Sequence, residues 1–117
     1  MDTYFKGDEV KFAINIEFPG FSMDDDEFDI EVKSGNTSVK GYKNPEEESP
    51  GLVIFKETVQ DPETEEEVST WYAIADTQSL ATGTMRVIAT AYIVDANAND
   101  GVRKDINVST LGKLVDP

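Results

Sequence analysis

The sequence predicts an all-β domain, an antiparallel immunoglobulin-like β-sandwich of about seven strands, and three observations carry that reading. Apolar residues recur at every second position in several segments, turn residues return every ten or so positions, and no segment has the length and period of an ordinary helix. Two sheets closing over one dry interior bury faces of this kind. The Cys–Trp–Cys core of antibody domains is missing, and a small barrel satisfies the same pattern.

The first strand is expected over 10–18. Val10, Phe12, Ile14, Ile16 and Phe18 alternate with Lys11, Ala13, Asn15 and Glu17, and Pro19-Gly20 ends the run because proline lacks the donor a ladder needs. Next, Phe28, Ile30 and Val32 point inward while Glu27, Asp29, Glu31 and Lys33 point outward. Ser34-Gly35-Asn36-Thr37 is a turn, and a short strand at about Ser38–Tyr42 returns from it. Asn44-Pro45 to Pro50-Gly51 reads as a polar loop carrying Glu46, Glu47 and Glu48. Leu52-Val53-Ile54-Phe55 is a compact apolar run, read as a buried strand. Gln60–Glu67, with Asp61-Pro62, reads as a hairpin tip, after which Val68–Ala75 resumes β-type residues around Trp71 and Tyr72.

Asp76–Gly83 has the residues to cap one helical turn and end it. Thr84–Val94 is the longest of the later strands, with Met85, Val87, Ala89, Ala91 and Ile93 on an apolar face. Asp95–Gly101 is a loop, and Val102 to about Leu114 supplies a last, less regular strand.

At 117 residues and 12.9 kDa the chain makes one domain, 1–117. Area scaling for this mass gives roughly 6,300 Å² exposed when folded, enough burial for one core. There are 24 acidic residues against 10 basic ones, a net charge of −14. Such a surface repels phosphates and anionic headgroups, so neither nucleic acid nor membrane is an expected partner. The chain has neither Cys nor His. Disulfides, the usual zinc ligands, the commonest general base and the Ser–His and Cys–His pairs are thereby removed, and no enzymatic activity is expected. The opening residues have no apolar h-region, and no stretch approaches 18 continuous apolar residues, so cytoplasmic synthesis without a signal peptide or transmembrane segment is expected.

Candidate sites are few. Asp95, Asn97, Asn99 and Asp100 place oxygens at near-alternate positions of a tight loop, as calcium requires. The spacing departs from an EF-hand: the glycine comes one position late, and Ile106 stands where a glutamate is needed. A plain β-turn uses the same residues and is the favoured reading. Asp24-Asp25-Asp26 could share a cation with Asp29 or Glu27, and Glu46–Glu48 and Asp61, Glu63, Glu65, Glu66 and Glu67 could dock to a basic partner, but solvated loops are the favoured reading of all of them. Eight glycines form no phosphate-binding motif. Some pair of carboxylates falls at glycosidase spacing by chance, and nothing marks a cleft around one.

The strongest candidates are apolar. Ile88, Tyr92 and Val94 share the face of their strand opposite the expected core, and Tyr72 and Ile74 neighbour them if the two strands pair. A central strand covered on both sides and an exposed aromatic patch for self-assembly or docking account for this equally well.

The stretch TWYAIADTQSLATGTMRVIATAYIVD from Thr70 to Asp95, then Asp100-Gly101-Val102-Arg103, resembles a pattern in small proteins of phages and prophages of gut Bacteroides-type bacteria. With Gly7-Asp8-Glu9-Val10-Lys11-Phe12 and Asp26-Glu27-Phe28 it covers most of the chain, and it loosely resembles the β-sandwich domains of phage baseplate and tail proteins. The resemblance implies a structural or accessory protein of a tail, baseplate or capsid, with protein partners and self-association or virion assembly as its work. It implies no catalytic or cofactor residues. The alternative is a calcium- or carbohydrate-binding module of a cell-surface or secreted protein.

Overall fold

The computed structural model describes residues 2–43 and 51–117, so the expected loop with Glu46, Glu47 and Glu48 lies outside the described residues. These residues form an all-β fold of eight strands: β1 (Thr3–Phe5), β2 (Glu9–Ile14), β3 (Glu27–Ser34), β4 (Thr37–Tyr42), β5 (Leu52–Gln60), β6 (Glu67–Asp76), β7 (Gly83–Val94) and β8 (Val102–Val115). One sheet has the order β1-β8-β7-β3-β4 and the other β2-β6-β5. All pairs are antiparallel except β1 with the end of β8.

The core lies between the inward faces of the two sheets. Val10 and Ile14 of β2, Leu52 of β5, and Ala73 and Ala75 of β6 face Phe28, Ile30 and Val32 of β3 and Met85, Ala89, Ala91 and Ile93 of β7. The predicted alternation of β3 and β7 is therefore the observed one. At the β3–β4 hairpin Gly35 has φ 60, as a II′ turn requires of its first central residue.

The structure corrects several expectations. The first strand leaves β6 after Ile14; Ile16 still fills the core, but from a coil whose Phe18 carbonyl accepts the Phe21 N–H at 3.1 Å. The run Leu52–Phe55 is not buried on both sides: Leu52 is, while Val53 is 59% exposed, and the strand continues to Gln60. No helix forms at Asp76–Gly83; the segment makes one hydrogen-bonded turn, the Leu80 N–H donating to the Thr77 carbonyl at 3.1 Å and the Gln78 N–H to Asp76 Oδ1 at 2.9 Å. Thr77 instead turns inward, donating to the Asp8 carbonyl at 2.7 Å and accepting from the Gly7 N–H at 3.0 Å. A helical turn would point that hydroxyl at its own backbone, whereas here it ties two segments together.

The eighth strand is β1, three residues long and too short to show a period. It lies against β8 at Gly112, where a Cβ would come within 2.6 Å of the Asp2 carbonyl oxygen. The folded chain exposes 7605 Å², more than the roughly 6,300 Å² that scaling gives. The three-stranded sheet does not cover the whole of the five-stranded one. The uncovered margin is the β8 side, as Asn107 and Ser109 on its inward face remain exposed.

Candidate functional site

Interface candidates Ile88, Tyr92 and Val94 all lie on the outward face of the five-stranded sheet, opposite Met85, Ala89, Ala91 and Ile93. Their cross-strand neighbours on β8 are Val108, Lys104 and Val102, with Ile106 opposite Thr90 between them. Val94, Val102, Ile106 and Val108 are all exposed, from 42% to 79%. The residues of β8 that point inward here are polar: Arg103, Asp105, Asn107 and Ser109, opposite Ile93, Ala91, Ala89 and Val87. Along 102–110, β8 is thus amphipathic with its apolar side toward solvent. A bulge ends this arrangement. Between Met85↔Gly112 and Arg86↔Thr110 the register shifts, Leu111 is the extra residue, and beyond it Gly112 and Leu114 point into the core.

Across the sheet this face grades from polar to apolar. One row runs Lys40, Glu31, Ile88, Val108 and the next runs Tyr42, Asp29, Thr90, Ile106. Asp29 points outward yet is only 2% exposed. The Tyr92 hydroxyl donates to its Oδ2 at 2.6 Å, and Lys40 Nζ stands 3.8 Å from the same oxygen. That hydrogen bond to a carboxylate, with burial, pushes the Tyr92 phenol up to about 12. Lys104 sits 5.5 Å from the centre of the Tyr92 ring. Tyr92 is consequently a strut holding a charged pair, flanked by the apolar residues; of the other two candidates Val94 is exposed and Ile88 half-buried.

Tyr72 and Ile74 are elsewhere. Their strand, β6, pairs with β2 and β5, not with β7, so these two lie on the outward face of the other sheet. There Tyr72 stacks on Phe55, ring centres 6.0 Å apart, with Lys11 Nζ 4.4 Å from the Tyr72 centre and bonded to Glu57 at 2.9 Å. The expected neighbourhood with Ile88 and Tyr92 fails because the chain crosses between sheets at residues 77–82 instead of turning back as a hairpin.

The loop after β7 holds Asp95, Asn97, Asn99 and Asp100. Asp95 Oδ1 accepts the Asn97 N–H at 3.0 Å, and Oδ2 pairs with Arg103 at 3.1 Å. Arg103 also reaches Asp105 and the Pro19 carbonyl. A cation at Asp95 would have to displace the guanidinium. Asp24 and Asp26 turn to different partners. Asp24 bonds Lys56 at 3.0 Å and accepts from the Trp71 indole N–H at 3.1 Å, which hold its carboxyl below the usual range, while Asp26 accepts the Ser22 N–H. Among the described residues no three Asp, Glu, His or Cys gather as a metal site would need, and no helix is long and apolar enough to cross a membrane.

Val102, Ile106 and Val108 were not among the sequence candidates. Their signal is present, since they alternate with Arg103, Asp105 and Asn107, but alternation alone assigns the apolar side to the interior. Only the Leu111 bulge and the narrow facing sheet reverse that assignment. No protein-family model matches the chain, and comparison with curated proteins and with solved structures finds no match.

Proposed function

We propose that the chain is a non-enzymatic structural module that works by presenting the outward face of β7–β8 to a protein partner, as an accessory of a phage or prophage particle. One observation carries this reading: on β8 the apolar side, Val102, Ile106 and Val108, faces solvent while the polar side faces inward. A soluble domain gains nothing from that arrangement alone, because apolar area left in water forgoes roughly 25 cal/mol per Å². Covered by a partner, the same residues contribute to association, and patches of this kind mark interfaces.

The strand order supports the finer fold reading. Order β1-β8-β7-β3-β4 opposite β2-β6-β5 supports an immunoglobulin-like reading in which strands one, three, four, seven and eight make the larger sheet. The lack of His and Cys supports the absence of catalysis. The phage assignment rests on the sequence resemblance, and with it go synthesis in the cytoplasm and incorporation into a particle.

The test is whether the chain travels with particles. Antibody against it should label phage particles purified from the bacterium that encodes it, after induction and through a density gradient. Chain found only in the unassembled soluble fraction would overturn the assignment.

A further inference from the structure

We propose that the partner on this face is a second copy of the chain, joined through the β8 edge so that two five-stranded sheets become one sheet of ten strands. The inference deepens the reading of β7–β8 as the presenting face and rests on it.

The edge is open. β8 has β7 on one side, and β1 reaches only Lys113–Val115 on the other, so among the described residues Val102–Thr110 has no strand beside it. Asp95 donates to the Gly101 carbonyl at 2.9 Å, which makes those opposed residues a hydrogen-bonded pair. In an antiparallel ladder such pairs alternate, so the N–H and C=O groups of Val102, Lys104, Ile106 and Val108 point away from β7, toward the open side. A row of unpaired backbone groups beside an apolar stripe is a template for another strand.

Two other edges, β4 and β5, are less fit. β4 meets β5 closely at Gly41, where a Cβ would lie 2.7 Å from the Leu52 carbonyl oxygen. β5 carries Glu57 and runs into the tip holding Asp61, Glu63, Glu65, Glu66 and Glu67. β8 is net basic on an acidic molecule: residues 102–114 hold Arg103, Lys104 and Lys113 against Asp105 alone. Two copies each at −14 meet here with less repulsion than at the acidic tip of β5.

Charge also selects the register. A two-fold axis at Asp105 would oppose two carboxylates, and one at Lys104 two ammonium groups. Centred on Ile106, the outward face opposes Ile106 to its own copy, Lys104 to Val108 and Val102 to Thr110. The inward face opposes Asp105 to Asn107 and Arg103 to Ser109. No like charges stand opposite, and Ile88, Ile106 and Val108 of both copies form one continuous stripe. The interface is self-complementary, as a two-fold dimer requires. One strand and its stripe fall at the small end of specific interfaces, so the dimer is reversible. Salt screens the residual repulsion and strengthens it, the opposite of its effect on a complex with a basic partner.

Sedimentation of the full chain tests this. The weight-average mass should rise from 12.9 kDa toward twice that value as concentration goes from micromolar to millimolar, and further with added salt. Ile106→Lys should stay monomeric with an unchanged melting temperature, since Ile106 is 62% exposed. As the chain has no cysteine, Ile106→Cys gives a proximity readout: opposed residues across an antiparallel pair fall within disulfide reach, so mild oxidation should cross-link it about tenfold faster than Val68→Cys on the other sheet. A strict monomer, or equal cross-linking of the two variants, overturns the inference. If the chain is nonetheless found in particles, the functional reading stands with a different partner; a salt-strengthened dimer absent from particles supports the inference and removes the phage assignment alone.

Discussion

The two outward faces of the sandwich both carry apolar side chains, and they treat them differently. On the three-stranded sheet, Phe55 and Tyr72 stack on each other and Lys11 lies across them, its charge held by Glu57. The rings are satisfied within the molecule, and a lysine stem and head cover them. On the five-stranded sheet Tyr92 is similarly engaged, but Val94, Val102, Ile106 and Val108 stand exposed, with Ile88 half-buried among them. The difference teaches that the outward apolar count is a poor guide to an interface. What matters is whether neighbouring strands supply a long polar side chain to lie over it: Lys11 covers the ring pair, whereas β8 opposes Val108 to Ile88 and Val102 to Val94, and away from the rings β5–β6 opposes exposed Val53 to Ile74 and Val59 to Val68.

The sharpest way to break the comparison lies within β8 itself, on either side of the bulge. Leu114 is fully buried and Ile106 is exposed, though both are apolar residues of one strand. Leu114→Ala should cost about 2–5 kcal/mol through lost burial and the cavity left behind. Ile106→Ala should stay within about 0.5 kcal/mol, as surface substitutions do. Urea unfolding of dilute, monomeric protein measures both. A cost at Ile106 approaching that at Leu114 would mean the stripe is already covered within one chain.

Tyr92 comes next. Tyr92→Phe removes the hydroxyl from the buried Asp29 carboxylate and leaves it Lys40 at 3.8 Å. The expected loss is about 1–3 kcal/mol, the cost of a buried acceptor without its donor. Its pH dependence has a definite sign. The folded phenol is raised to about 12 from an ordinary value of 10.0, so the neutral form favours the folded state, and its contribution is complete below pH 10 and lost as pH climbs from 10 through 12. Melting curves across that window should show the wild-type advantage over Tyr92→Phe shrinking. A constant difference would show that the hydroxyl is not held by Asp29.

Much of this was legible in the sequence where one face of a strand was clearly apolar and the other clearly charged. β3 and β7 read correctly because Phe28, Ile30 and Val32 alternate with charges, and because every second residue from Met85 to Ile93 is apolar. The reading failed where long-range geometry decides. Nothing local says that β6 and β7 lie in different sheets, so the sequence leaves open whether Tyr72 and Ile74 pair beside Ile88 and Tyr92, and the structure separates them. Nothing local says that Leu111 is extra, so the inversion of β8 is invisible until its partner is known. Asp29 reads from its own strand only as an outward charge, and the hydroxyl that meets it comes from Tyr92, 63 residues away.

The smallest expected effect sharpens the comparison from the quiet face. Lys11→Ala removes an exposed cation–π contact and an exposed ion pair with Glu57, together worth about 0.5–1 kcal/mol. The informative readout is exposure, because the substitution bares the Phe55–Tyr72 pair while leaving the core untouched. If the lysine cover is what keeps this face inert, the variant should bind an apolar dye more strongly than wild type and begin to self-associate through β5–β6. A second substitution, Ile106→Lys, keeps the β8 face out of that measurement. Dye binding unchanged in the double variant would mean that the ring pair is quiet by its own packing, and that the contrast between the two faces lies in aromatic stacking instead of in the lysine.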